Sequence, residues 1–240
     1  MSINVRIGTC GFGRIRKPRY ADGLSAVEIQ HTFYHPPSVE TLEGWRAEMP
    51  EGFEFTLKAW QLITHDAKSP TYRRFDRPLT ETEREEAGYF RPTATVREGW
   101  EVTLASAKAL GAKTVLFQCP ASFRPAMENI ANLEEFFGTA DRGGLNFAWE
   151  PRGNWAADTI REISERHYVC HAVDPFATAT TTPEKCYFRL HGRTGYNYKY
   201  EEDELADLAE LLPRDRVSYV FFNNRYMFED AVQFKKIIGL

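Results

Sequence analysis

The sequence predicts an α/β chain whose eight parallel strands close into a single (β/α)8 barrel of the TIM type. Three observations carry that prediction. Eight short β-rich runs recur along the 240 residues. Stretches with helical spacing separate most of them, and the length is one that a single such barrel commonly uses. An open doubly wound sheet is the alternative, but the glycine fingerprint of its first turn is missing. Gly8-Thr-Cys-Gly11-Phe-Gly13 has its glycines in the wrong order, opens no visible helix and reads as a bend.

The strands are expected at residues 3–8, 26–30, 53–58, 114–118, 145–150, 169–173, 186–191 and 217–223. Ser38 precedes Val39, Leu42, Trp45 and Met49, whose 3–4 spacing marks a helix. Thr95-Val-Arg-Glu98 has the form of a capping box, followed by apolar Val96, Trp100, Leu104 and Ala107, with Gly111 as the stop. Pro125 suits a first helical position in a helix ending at Gly138, and Asn154 suits the cap of a helix through Ile160 and Ile163. Residues 201–212 and 230–238 supply two more helices. The connections 10–25 and 175–185 lack a helical pattern, so one or two of the eight barrel helices are expected to be missing or abbreviated. Residues 66–93 form a long, charged, proline-punctuated insertion after the third strand, with a short helix around 80–87. A barrel puts such an insertion at its C-terminal mouth, as a wall or cover of a site.

Composition excludes several classes. Thirty Lys and Arg against 34 Asp and Glu leave a net charge of −4, so no overall basic charge advertises nucleic acid. No apolar run approaches the ~20 residues of a membrane span, and the opening residues lack a basic-then-apolar signal pattern. Four scattered cysteines without a C-x-x-C pair describe neither a zinc ribbon nor a disulfide framework. A cytoplasmic protein is the expectation.

Side chains alternate across a strand. The apolar sets Val27/Ile29, Phe53/Phe55/Leu57, Leu145/Phe147/Trp149 and Phe188/Leu190 must meet the helices, which turns their polar neighbours into the lumen. Arg6, Glu28, Gln30, Lys58, Gln118, Glu150, Asp174, Arg189, His191 and Asn223 are therefore expected inside, mostly at C-terminal strand ends, where barrel active sites lie. Charges so placed need partners, and Arg6–Glu28 is expected as a purely structural pair. The loops add basic residues at the same end: Arg14, Arg16, Lys17 and Arg19; Lys68, Arg73, Arg74 and Arg77; then Arg124, Arg152, Arg193 and Arg225. A basic mouth on an acidic body attracts anions. Aromatics are plentiful there too (Phe12, Tyr34, Trp60, Tyr72, Trp155, Tyr196, Tyr198), most of them expected in packing and some suited to base stacking. His65, Glu150, Asp174 and His191 have the chemistry of metal ligands, yet Lys58, Arg152 and Arg189 compete for the same carboxylates, so no cofactor is the expectation and a divalent metal among these four is the alternative.

Segments from end to end resemble one family: Gly8-Thr-Cys-Gly-Phe12, Val27-Glu-Ile-Gln-His-Thr-Phe-Tyr34, Pro37-Ser38, Lys58-Ala-Trp-Gln-Leu-Ile-Thr-His65, Phe117-Gln-Cys-Pro-Ala-Ser-Phe123, Trp149-Glu-Pro-Arg152 before Trp155, Arg189-Leu-His-Gly-Arg193 and Phe221-Phe-Asn-Asn224. Their order is that of the YecE-like family, domain of unknown function 72. The resemblance implies a TIM-type barrel and supplies no reaction. The likeness of such barrels to metal-dependent sugar isomerases and abasic-site endonucleases is an analogy of fold.

The resulting expectation is an enzyme that binds a phosphate-bearing or other small anionic substrate in a polar, basic pocket, by acid–base chemistry. Glu150 is its general base or acid, with His191 and His65 as proton partners. Lys58, Arg152 and Arg189 hold the anion, Gln118 and Asn223 orient the substrate, and Glu28 completes the binding lining. The alternative, from a different class, is a nucleic-acid-binding module or nuclease that uses the loop arginines and aromatics.

Overall fold

The computed structural model describes residues 4–75, 77–213 and 216–240. Among these, eight parallel strands close into a barrel in chain order: β1 (Val5–Cys10), β2 (Ala26–Ile29), β3 (Glu54–Lys58), β4 (Thr114–Gln118), β5 (Asn146–Glu150), β6 (Val169–Val173), β7 (Tyr187–Leu190) and β8 (Ser218–Phe222). β8 returns to pair with β1 from Val5↔Ser218 to Thr9↔Phe222, which leaves no free sheet edge. Each expected strand is present to within two residues at either end; Ile3 lies outside the described residues.

The helices are α1 (Lys17–Gly23), α2 (His31–Tyr34), α3 (Val39–Ala47), α4 (Gln61–Thr64), α5 (Glu81–Glu86), α6 (Ala94–Leu110), α7 (Met127–Thr139), α8 (Ala157–His167), α9 (Glu202–Glu210) and α10 (Met227–Ile237). Ser38 caps α3 by accepting from the Thr41 N–H, and Gly111 closes α6 in the left-handed conformation at φ 60°, both as the sequence predicts. The connection 10–25 carries an abbreviated helix, α1, as expected; it is short and buries only Tyr20, so it leaves no periodicity to read. Three expectations of helix ends need correction: the cap of α6 and the places of Pro125 and Asn154. The cap of α6 is Thr93, not Thr95. Thr95 instead gives its backbone N–H and hydroxyl to Glu86, 3.0 and 2.9 Å away, so a carboxylate from the end of α5 takes the place Glu98 was expected to fill. Pro125 and Asn154 each stand before the cap position, which Ala126 and Ala156 occupy without a side-chain bond. No helix joins β6 to β7 among the described residues. Asp174 starts that connection as a turn, its side chain accepting from Phe176 N and its carbonyl from Ala177 N and Thr178 N.

The two faces of each strand divide as the alternation requires. Val27, Ile29, Phe55, Leu57, Phe147, Trp149, Phe188 and Leu190 join the large core between sheet and helices. Inside the barrel the apolar filling is thin: Ala26, Leu116, Ala148, Ala172, Tyr187 and Phe221. Gly8 belongs to that crowded layer, since a Cβ there would lie 2.1 Å from the Ala26 carbonyl oxygen. Below it Arg6 bonds Glu54, not Glu28, because Arg6 lies at the N-terminal end of β1, level with the start of β3. The insertion after β3 carries a 3-10 turn (Pro70–Arg74) and α5, whose Thr80–Glu83 capping box is complete. Phe75 of the insertion stacks on Trp60, and the Tyr72 hydroxyl donates to the His65 carbonyl at 2.8 Å, which fixes it over the C-terminal end of β3.

Candidate active site at the C-terminal mouth

At the top of the lumen the strand ends present one connected polar network. Glu28 of β2 is fully buried and receives Arg189 of β7 through Nε (3.1 and 3.0 Å) and an NH2 contact of 2.8 Å. Tyr187 donates its hydroxyl to the same carboxylate at 2.7 Å, the Cys10 thiol does so at 3.2 Å, and the Gln30 amide adds another bond. Arg189 reaches across with its other terminal nitrogen to Glu150 of β5, 2.5 Å away. Glu150 also accepts from Gln118 Nε2 at 3.0 Å and from Arg152 Nε at 2.9 Å. Burial alone would raise the Glu150 carboxyl, but Arg189 and Arg152 overcome it and hold the group at about 2. Burial likewise opposes ionisation of Glu28, and Arg189 again more than reverses it. Both carboxylates are therefore ionised and saturated, so Glu150 is not tuned upward as an acid would need.

Lys58, at the end of β3, is only 5% exposed. Its Nζ donates to Gln118 Oε1 at 2.5 Å and lies 3.5 Å from the centre of the Phe33 ring. Burial first, and the Arg189 charge second, pull it down to about 7. His191 stands where the barrel opens. Arg152 NH2 lies 3.1 Å and Arg189 NH1 3.4 Å from its Nε2; because guanidinium nitrogens only donate, that nitrogen is the acceptor. Nδ1 then carries the proton and faces Asp174 Oδ2 at 3.7 Å, while the same oxygen accepts the His191 backbone N–H at 2.9 Å. His65 stands apart from the network. It is buried, its Nδ1 pairs with Thr64 Oγ1 at 2.7 Å, its ring meets Phe33 edge-on, and burial followed by the Lys58 charge lowers it to about 3. Asn223 is partly exposed and donates its backbone N–H to Leu190 O. The neighbouring Asn224 is the buried one, bridging Tyr198 O and Asp230.

Of the nine residues the sequence singles out, Glu28, Lys58, Gln118, Glu150, Arg152, Arg189 and His191 form one bonded chain, and His65 and Asn223 lie outside it. Sequence reasoning missed Asp174 as the partner of His191, Tyr187 as a support of Glu28, and Phe33 as the surface under Lys58. The parity of β7, which places Tyr187, Arg189 and His191 on one face, was the available signal for Tyr187.

Beside the network a cleft of about 660 Å3 opens over the ends of β1 and β2, lined by Cys10, Gln30, His31, Lys17 and Trp45 among others. A neighbouring groove of about 490 Å3 runs past Tyr34, Ser38 and Arg74, where the Arg74 guanidinium lies 3.8 Å from the Tyr34 ring centre. Trp60, Tyr72 and Trp155 are packing residues: Trp155 is 9% exposed and donates to Phe123 O. A divalent metal does not fit the donor set. Guanidinium and amide groups already occupy Glu28 and Glu150, and among the described residues no three His, Cys, Asp or Glu side chains converge as ligands would. No helix among the described residues is long and apolar enough to cross a membrane.

A closed parallel barrel with its polar groups gathered at the C-terminal ends of the strands defines the class: a TIM-type barrel. Residues 14–239 match the family model described as "Protein of unknown function DUF72", and the chain belongs to that family. A crystal structure of a DUF72 family protein from Enterococcus faecalis V583 is 25% identical with a TM-score of 0.72, the match covering 99% of this chain and 98% of that one. One from Thermotoga maritima MSB8 is 24% identical, also at 0.72, over 99% and 100%. An AP endonuclease, family 2, from Brucella melitensis shares the fold at 10% identity and 0.59, over 98% of each chain. No functionally curated protein matches the sequence.

Proposed function

We infer that this protein is an enzyme that binds a small anionic substrate at the C-terminal mouth and moves a proton with His191. The observation that carries the reading is the setting of that imidazole. Asp174 accepts the backbone N–H of His191 and lies 3.7 Å from its Nδ1, and Nε2 is aimed between two guanidinium groups. A base so oriented, next to cations that hold an anion, is the arrangement proton abstraction beside a carboxylate or phosphate group requires. Arg152 is the contact for the anion, since its side chain is 46% exposed, whereas Arg189 is buried with its donors engaged. Arg189 is a positioning residue that holds Glu150, and Glu150 holds Arg152. Titration with phosphate, sulfate and pyruvate followed by calorimetry tests this. Arg152→Ala is expected to weaken the tightest of them by about ten-fold or more. Equal affinity in the variant, or no binding by the parent, would sink the reading.

A second reading, nucleic-acid binding, is favoured by one feature. Arg74 over Tyr34, and Lys17 between Phe12 and Trp45, line the grooves with stacked basic and aromatic groups. The fold shared with an AP endonuclease is compatible with it and adds no chemistry at 10% identity. It expects salt-sensitive binding of single-stranded oligonucleotides that falls in a Arg73→Ala/Arg74→Ala double variant. An anisotropy titration at low salt that stays flat removes it.

A further inference from the structure

We propose that Lys58 is a nucleophile that forms a Schiff base with the carbonyl carbon of a small anionic aldehyde or ketone, such as a 2-oxo acid or a phosphorylated carbonyl compound. The proposal rests on the reading of the mouth as an anion-binding site and names the substrate class for it.

The argument begins with what Lys58 lacks. A buried ammonium ordinarily meets a carboxylate, because an uncompensated ion in the interior costs several kcal/mol. Among the described residues Lys58 has no carboxylate within 4 Å, although Glu150 is one hydrogen bond away through Gln118. Its polar partner is the neutral amide oxygen of Gln118. The Phe33 ring is a weak stabiliser of the charged form. Burial first and the nearby Arg189 second act the other way, against the pull of Glu150 and Glu28, and bring the group down to about 7, which favours the free amine. A lysine desolvated beside another cation is an activated amine nucleophile.

The partner also separates nucleophile from proton carrier. An amide oxygen accepts an N–H and orients the lone pair, but it takes no proton away. A lysine that relayed protons would face a carboxylate or an imidazole instead. Along the same mouth the chain Lys58–Gln118–Glu150–Arg152–His191 joins the amine to the exposed guanidinium and to the base.

The step balances without an oxidant or reductant. The Nζ lone pair attacks the carbonyl carbon, and the C=O π electrons move to oxygen, which takes a proton. The proton the oxygen takes is the one nitrogen gives up, which leaves a neutral carbinolamine. A second proton, from solvent, lets the hydroxyl leave as water while the nitrogen lone pair forms the C=N bond, so amine, carbonyl and H+ give iminium and water. That cation acidifies any adjacent C–H.

The experiment is reductive trapping on the full chain. Pyruvate, glyoxylate and dihydroxyacetone phosphate are each incubated with sodium cyanoborohydride at pH 7.5, and adducts are located by intact mass and peptide mapping. The expected result is one adduct, on Lys58, absent in Lys58→Arg. Gln118→Glu keeps the lysine and supplies a carboxylate, so it is expected to slow trapping about ten-fold or more while circular dichroism stays that of the parent. Adducts spread over surface lysines, or a trapping rate unchanged in Gln118→Glu, would overturn the proposal. The two readings fail separately. If calorimetry shows Arg152-dependent binding of these probes and no Lys58 adduct forms, the anion site stands and the Schiff base falls. If no anion binds but neutral propanal is trapped on Lys58 alone, the nucleophile stands and the anion site falls.

Discussion

Among the described residues Arg189 and Lys58 are the buried cations of the upper lumen, and they are held in opposite ways. Arg189 on β7 is 1% exposed, lies between two carboxylates and is raised well above its ordinary range; burial opposes its charge, but Glu150 and Glu28 outweigh that. Lys58 on β3 is 5% exposed, has an amide oxygen and a ring face for company, and falls to about 7. The lesson is that burial does not by itself assign a role. A buried charge with every donor matched is structure, whereas a buried charge left half matched is stored reactivity.

The largest expected effect breaks the matched side. Arg189→Met leaves the buried Glu28 without a cation and Glu150 with only the half-exposed Arg152, and is expected to cost about 3–5 kcal/mol of stability, the range for breaking a buried pair. At ~2–4 °C per kcal/mol for a chain of this size, thermal unfolding shows it directly. Lys58→Met does the reverse in kind: it removes an ion with no carboxylate of its own, and its melting temperature is expected to equal or exceed that of the parent at pH 7. If both variants lost the same several degrees, the two cations would be equivalent and the distinction would collapse.

The comparison also shows how far the chain could be read before its structure was known. The strands and their two faces were legible because apolar residues alternate strictly at 27–29, 53–57, 145–149 and 188–190. That alternation alone put Glu28, Lys58, Glu150 and Arg189 in the lumen. Pairing was not legible. Arg6 and Glu28 look like partners in sequence, but the stagger of the strands sets Arg6 level with Glu54 and Glu28 level with Arg189. Helix caps failed for a related reason: Glu86, distant by nine residues, fills the place assigned to Glu98. What the sequence hides is height along the barrel axis, and height decides which charges meet.

Acid and alkali separate the two cations further. Glu150 is held at about 2 and Glu28 below its ordinary value, so their stabilisation is present above the usual carboxylate range. It is lost as pH falls from about 4.5 towards 2. That acid limb is expected to be shallower in Arg189→Met, since the carboxylates then have less to lose. Lys58 has the opposite sign. Its folded value of about 7 lies below the unfolded 10.5, so between these values the unfolded chain binds more protons and stability rises with pH. The difference between the parent and Lys58→Met is therefore expected to grow in the parent's favour from pH 7 to 9, by up to about 1.4 kcal/mol per pH unit. Buried thiols with raised values act in both proteins and cancel in that difference. Urea unfolding at pH 7, 8 and 9 reads it, and a pH-independent difference would mean that Lys58 is charged throughout.

The smallest expected effect on stability belongs to Arg152, which shares Glu150 with Arg189 and differs from it in exposure. With 46% of its side chain in solvent, Arg152 adds a screened contact to a carboxylate that Arg189 and Gln118 already hold. Arg152→Ala is accordingly expected to change unfolding by no more than about 1 kcal/mol, the scale of an exposed pair. The same change opens the acceptor Nε2 of His191 on one side and removes the guanidinium that faces solvent. Anion affinity should therefore fall while stability hardly moves, the inverse of what Arg189→Met does. Thermal unfolding and calorimetric titration of the one variant decide it. A variant that unfolded several degrees early would place Arg152 with Arg189 in the structural network and would remove the basis for proposing it as an anion contact.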